Sequence, residues 1–131
     1  MRTFNVRTER QSELVDITSE VRDAVAGDDG EAVLVYVPHT TAGVTINEHA
    51  DPAVARDFAD ALERIVPGDW PWQHVEEGEE NAPTHIRAAL MGPSVLIPLQ
   101  AGELALGTWQ GVFLCEFDGP RARSVYVSVL H

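Results

Sequence analysis

Ala32-Val33-Leu34-Val35-Tyr36-Val37 runs directly into Pro38-His39-Thr40-Thr41-Ala42-Gly43-Val44-Thr45-Ile46-Asn47-Glu48. The first six residues are apolar and rich in β-branching, the pattern of a strand covered on both faces. Pro38 has no N–H to give to a ladder, so regular pairing should weaken there. A histidine, three threonines, an amide and a carboxylate follow where the core strand ends. Groups in such a place are held by a rigid scaffold yet stay open to ligand.

Working outward, Phe4 to Thr8 alternates and reads as a first strand, and Glu13 to Ile17 as a second. Thr18 can cap a short helix with Val21, Ala24 and Val25 on its inner face, and Asp28-Asp29-Gly30 ends it. A strand near Val44 to Glu48 follows the core strand. Asp51-Pro52 is a helix start, with Asp as N-cap and Pro at the first helical position. Val54, Phe58, Ala61, Leu62 and Ile65 share one face of that helix, which stops at Pro67-Gly68-Asp69. Trp70 to Thr84 reads as an acidic loop, and Ile86, Ala89 and Leu90 as the inner face of a third helix ending at Gly92-Pro93. Strands over Val95–Pro98, Glu103–Leu106, Gln110–Phe117 and Ser124–Leu130 finish the chain, with turns at Ala101-Gly102 and Asp118-Gly119-Pro120. The order ββαββααββββ argues for a single α+β domain over residues 1–131, a largely antiparallel sheet or sandwich with about three helices.

Composition narrows the chemistry. At 131 residues and 44% hydrophobic, the chain can bury a core of its own. Its 21 acidic residues face 9 basic ones, all arginine, for a net charge of -12. Without lysine there is no Schiff base with pyridoxal phosphate and no Walker lysine for a nucleotide cofactor. Nucleic acid is not an expected partner, because binding needs a basic footprint. No apolar run approaches the ~20 residues of a membrane span, and the start lacks the apolar region of a signal peptide. A soluble cytoplasmic protein is expected. A salt-rich cytoplasm and a GC-rich genome account equally well for the acidity and the missing lysine. The single cysteine, Cys115, sits among aromatics and reads as an inert buried thiol.

Several polar groups invite a chemical reading beside a plainer one. His39 suits a general base or metal ligand, or an ordinary strand-end hydrogen bond. Thr40, Thr41 and Gly43 beside it could cradle phosphate through hydroxyls and backbone amides without lysine. Asp51 is explained by capping alone. Asn47 and Glu48 project to opposite faces and serve one site only if the strand ends there. His74 and His85 bracket Glu76-Glu77-Gly78-Glu79-Glu80-Asn81, a loose metal-site pattern that matches no HExxH spacing. Gln110 and Glu116 are the polar ends of one strand face, with Val112 and Leu114 between them. His49 and His131 have no constellation around them and are assigned no role.

Taken together, the run Pro38 to Glu48, Ala50-Asp51-Pro52, His74 through Asn81 to His85-Ile86, Leu106-Gly107-Thr108-Trp109-Gln110-Gly111 and Glu116-Phe117-Asp118-Gly119-Pro120-Arg121 resemble the YjbQ family, known as the secondary thiamine-phosphate synthase family. The resemblance covers nearly the whole chain. It implies an α+β fold, a homotrimer, and a site built from His39, Asn47, Glu48, Asp51, His74, Asn81, His85, Gln110 and Glu116. His49 departs from it, standing where the family pattern carries Asn, and the loop from Glu76 to Glu80 is more acidic than that pattern.

The activity the resemblance implies joins a hydroxymethylpyrimidine diphosphate to a thiazole phosphate and releases pyrophosphate. That reaction needs neutralised diphosphate and a pocket for a developing pyrimidine carbocation. A divalent metal, zinc or magnesium, held by His39, His74 and His85 would meet the first need. The same residues acting as a metal-free acid/base set is the alternative. Rival readings are a metal-dependent hydrolase of a small phosphorylated or amide substrate and a non-catalytic metal or small-ligand binding protein. The apolar strands Trp109–Phe117 and Val125–Val129 are the expected subunit contact.

Overall fold

The structure, a computed structural model, describes residues 1–74 and 81–131. Its elements are β1 (Arg2–Arg7), β2 (Glu13–Asp16), α1 (Thr18–Val25), β3 (Ala32–Tyr36), β4 (Ala42–Glu48), α2 (Pro52–Ile65), α3 (Ala82–Met91), β5 (Ser94–Gln100), β6 (Glu103–Leu104), β7 (Gln110–Glu116) and β8 (Ala122–Leu130). The strands form two sheets, a five-stranded one ordered β1-β8-β3-β5-β6 and a three-stranded one ordered β2-β7-β4. Every pairing is antiparallel. This is the expected α+β class and element order.

The main core lies between the two sheets. Val33, Val35, Ile97, Val125 and Val127 from the larger sheet meet Val44, Val112 and Leu114 from the smaller, with Ile17, Val21 and Val25 of the α1 region joining them. A second cluster of Leu62, Ala88, Cys115 and Phe117 lies where α2 and α3 cover the other face of the small sheet. Those two clusters make β7 the doubly covered strand, buried from Gly111 through Glu116. The continuous apolar run of β3 suggested that place for β3 instead. In the structure β3 alternates: Val33 and Val35 face the core, while Tyr36 is 41% exposed on the outer face.

The outer face of the large sheet is nonetheless apolar. Leu34 lies opposite Leu96, which is 60% exposed, and Tyr36 stacks on its register partner Tyr126 at 6.4 Å between ring centroids. Leu130 is exposed on the same sheet. Of the strands expected to form the subunit contact, Val112 to Phe117, Val125 and Val127 are buried in the core, while Trp109 is 63% exposed and Tyr126 lies on this outer face.

Two helix assignments change in detail. Ile17, not Thr18, occupies the N-cap of α1, and the Asp16 side chain accepts from the Thr18 N–H at 2.9 Å. The third helix begins at Ala82 rather than near Ile86, and its inner face is Thr84, Arg87 and Ala88. Arg87 sets that rotation: its buried guanidinium donates to the carbonyl of Val66, at the end of α2, through Nε at 3.2 Å and Nη2 at 2.7 Å. Ile86 and Leu90 are left exposed. The α2 start is as expected, with Asp51 accepting from the Ala53 N–H at 2.9 Å and Pro52 at the first turn. Among the described residues no helix is long and apolar enough to cross a membrane.

Candidate functional site

The polar residues singled out in the sequence fall into three groups. The first is a buried knot at one end of β7. Glu116 is fully buried and its two oxygens accept from the Thr8 hydroxyl at 2.7 Å, Arg123 Nε at 2.9 Å, the Phe117 N–H at 3.0 Å and the Asp118 N–H at 3.1 Å. Arg123 Nη2 closes a bidentate pair with the same carboxylate and donates to Thr41 Oγ1 at 2.8 Å. Burial alone would raise the Glu116 carboxyl, but the Arg123 and Thr8 hydrogen bonds hold it below the usual carboxylate range. His39 borders the knot: its Nε2 accepts the Ser124 N–H at 2.9 Å. Burial and the Arg123 charge hold the imidazole below its ordinary pKa, with Glu116 opposing them.

This group has little freedom for chemistry. Glu116 is committed to internal donors and is sealed from ligand. Thr41 is buried and bonded to Arg123, so it does not offer a hydroxyl to phosphate. Gly43 is a packing glycine rather than part of a phosphate cradle. A Cβ there would lie 2.7 Å from the Gly92 carbonyl oxygen and 3.1 Å from that of Ala88. Carbonyl oxygens facing this position would repel an anion. Cys115 is the inert thiol expected, pushed up to about 12 by burial.

The second group is open. His74 and His85 meet edge to face with ring centroids 5.1 Å apart. His85 Nδ1 lies 3.2 Å from the Thr40 carbonyl oxygen, which can only accept, so Nδ1 carries the proton. Nε2 of the neutral ring is therefore left with its lone pair. His74 also lines a recess of about 300 Å³ with Asp69, Trp70, Trp72 and Ala82. Thr40 is exposed beside the pair, and Asn81 stands half-buried before α3, its carbonyl accepting from the Thr84 N–H at 3.0 Å. His39 and His85 thus flank Thr40 from two sides. The acid loop Glu76 to Glu80 lies outside the described residues.

The three histidines do not form one ligand cluster within the chain. The groups of His, Cys, Asp and Glu whose ligand atoms all lie within 4.8 Å include, among the described residues, Asp28, Asp29 and His131 but not His39, His74 and His85. His39 Nε2 is occupied by the Ser124 N–H, and in the neutral ring Nδ1 then holds the proton. Among the described residues that leaves two imidazoles, fewer than the three protein ligands of a catalytic zinc.

The third group sits at the far end of the small sheet. Glu48 pairs with Gln110 and Asn47 with Gly111, whereas Ala42 pairs with Glu116. Six residues of strand separate the two ends, about 20 Å at the usual rise. Within one chain, Asn47, Glu48 and Gln110 cannot share a site with Glu116. Asn47 Oδ1 accepts the Glu48 N–H at 2.8 Å, and Gln110 Oε1 accepts the Gly107 N–H at 2.8 Å, closing the turn before β7.

One residue passed over in the sequence belongs here. His49 Nδ1 lies 3.0 Å from Asp16 Oδ2, although the two are 33 positions apart. The ring rests against Gly111, where a Cβ would come within 2.5 Å of it. No motif signals this pair; the Gly111 before the β7 core is the single local trace of it.

A fold of this layering, with an exposed histidine pair beside the turn that follows β3, defines a small α+β protein with solvent-open polar motifs. The UPF0047 protein YjbQ-like family model matches residues 2–131, and the chain belongs to that family. A UPF0047 protein of Methanocaldococcus jannaschii is 45% identical over 130 residues, 97% of this chain and 91% of that one. The UPF0047 protein YugU of Bacillus subtilis is 39% identical over 99% of this chain and 98% of its own. A crystal structure of an uncharacterized YjbQ/UPF0047 family protein from Clostridium acetobutylicum superposes with a TM-score of 0.93 at 42% identity, covering 99% and 100% of the two chains. The conserved hypothetical protein TT1486 of Thermus thermophilus gives 0.91 at 40% identity, covering 99% and 100%.

Proposed function

We propose that the chain is a small-molecule transferase of the thiamine-phosphate synthase type, with its reacting centre at the His74–His85 pair. The observation that carries this reading is the geometry at His85. Its Nδ1 proton is anchored on the Thr40 carbonyl, so Nε2 carries the lone pair, and its neighbour His74 lines a recess walled by Trp70 and Trp72. The two indoles lie 6.4 Å apart at 50°. Flat aromatic walls suit a flat heteroaromatic ring, and their electron-rich faces favour positive charge developing on it. Such charge develops when a pyrimidine methylene loses its diphosphate. The thiazole nitrogen then forms the new C–N bond with its own lone pair as pyrophosphate leaves, so no proton is released, and His85 Nε2 accepts a hydrogen bond from the amino group of the pyrimidine. A divalent ion is needed here only as the counter-charge of the diphosphate.

The test is turnover. Purified chain supplied with hydroxymethylpyrimidine diphosphate, thiazole phosphate and magnesium should release thiamine phosphate and pyrophosphate. His85→Ala, which removes that acceptor, should cut that rate about tenfold, the weight of one lost hydrogen bond, with the melting curve unchanged. Wild-type protein that makes no product with magnesium or zinc would end this reading.

We further propose that copies of the chain associate as a homotrimer through the outer face of the five-stranded sheet. Leu34, Tyr36, Leu96, Tyr126 and Leu130 give that face its apolar character. Each copy adds a charge of -12, so screening should favour assembly. Light scattering should give a trimer at high salt, with a melting point that climbs as salt is added. Leu96→Glu should shift the mass toward monomer. A wild-type chain that is monomeric at every salt concentration would refute the assembly.

A further inference from the structure

The His49–Asp16 pair opens onto a cavity of about 480 Å³ between β2 and the first half of α2. It lies beyond the far end of β4 from Thr40, about 20 Å away along the strand, and is separate from the histidine pair. Asp16 is firmly placed: Oδ1 accepts the Thr18 N–H at 2.9 Å and the Thr18 hydroxyl at 2.5 Å, and that hydroxyl accepts the Val112 N–H at 2.9 Å. Its Oδ2 takes the His49 Nδ1 proton. A carboxylate so held fixes the ring and its tautomer, the outer-partner logic of an Asp–His dyad. Burial alone would raise Asp16, but the Thr18 and His49 hydrogen bonds hold it below the ordinary range.

The other lining groups decide what the cavity accepts. Arg10 and Arg56 line it, and among the described residues neither guanidinium has an ion pair or side-chain hydrogen bond. Three of its four carboxylates are already supplied with donors. Glu13 accepts the Glu9 and Arg10 N–H groups at 2.6 and 2.9 Å, Asp51 accepts the Ala53 N–H at 2.9 Å, and Asp16 is held as above. Only Asp60 remains without a donor among the described residues. The Ser12 hydroxyl oxygen beside the cavity is sealed from solvent and, among the described residues, has no partner.

We propose that this cavity binds a small molecule bearing a phosphoryl group, with the Arg10 and Arg56 guanidiniums and the Nε2 proton of the His49 imidazolium as its donors. Two guanidinium forks and an imidazolium exceed what the two oxygens of a carboxylate can use, and suit the three oxygens of a phosphoryl group. The site stands independently of the transferase reading, because its residues and those of the histidine pair do not overlap.

Inorganic phosphate is the probe. Wild-type protein with labelled histidine rings is titrated at constant ionic strength, with His49→Gln assigning the resonance. A saturable shift at His49, and a His49 pKa that rises as phosphate is added, are expected. Arg10→Gln/Arg56→Gln should weaken phosphate about tenfold or more, the weight of a lost charge-assisted bond, with an unchanged melting curve. Acetate should bind more weakly than phosphate. His74→Gln should leave phosphate binding as it was, which separates this site from the other. A non-saturating response in the wild type, equal affinity in the double arginine variant, or acetate binding as well as phosphate would each overturn the proposal.

Discussion

The two ends of β7 make a useful contrast. Gln110 and Glu116 point to one face of one strand, and both look like polar punctuation around Val112 and Leu114. In the fold Glu116 is fully buried and clasped by Arg123, while Gln110 is exposed and bonds only to its own turn. Polarity in a sequence marks either a lock or an opening, and burial decides which. The Glu116 end holds β1, β4, β7 and β8 together through Thr8, Thr41 and Arg123. The Gln110 end borders the His49 cavity and leaves its side chains available.

The largest expected effect comes from breaking the lock. Glu116→Gln leaves the Arg123 guanidinium buried without its counter-charge. Removing one partner of a buried pair costs about 3–5 kcal/mol, which urea unfolding would register. Glu116→Leu with Arg123→Met should recover much of that loss, because the uncompensated charge goes too. Gln110→Ala should stay within about 0.5 kcal/mol of wild type. Equal losses at Gln110 and Glu116 would erase the distinction between the two ends.

How much of this was legible follows from what each residue type encodes. Strand and helix order was readable because Gly and Pro punctuate it and Asp51-Pro52 starts α2 as capping chemistry requires. Coverage was not. Leu34 and Tyr36 make β3 look buried on both faces, because an apolar outer face and a core face are written in the same residues. The rotation of α3 was hidden for a similar reason: Arg87 reads as a surface cation, and only the Val66 carbonyl makes it an inward one. Among the site residues, His74 and His85 were readable as a pair and do meet. The fate of Glu116 and Thr41 depended on Arg123, which lies outside the polar runs around His39 and His74. The His49–Asp16 pair depended on a 33-residue separation that no local pattern reports.

A middle-sized effect tests the open end. Asp51 borders the cavity and also caps α2 through the Ala53 N–H. Asp51→Ala should therefore lower stability by about 1 kcal/mol, the usual worth of an N-cap, and Asp51→Asn should restore most of it. Chemical denaturation of the three proteins side by side would show this. A loss as large as that of Glu116→Gln would mean that the open end is structural after all.

The smallest effect concerns His39, at the border of the lock. Its Nε2 accepts the Ser124 N–H, so protonation removes that acceptor and sets a second cation beside Arg123. The folded-state pKa is depressed, whereas the unfolded histidine titrates near ~6.5. Above that value both states are neutral and the full contribution is present. As pH falls below it, the unfolded chain takes the proton first and stability declines until the folded pKa is passed. Glu116 and Asp16, also depressed, lose their share only near and below the carboxylate range of about 4. Between about pH 7 and pH 5, wild-type stability should therefore fall more steeply than that of His39→Asn, which has no proton to gain. Urea midpoints across that interval would measure the two slopes. Parallel slopes would place His39 with the open residues rather than with the lock.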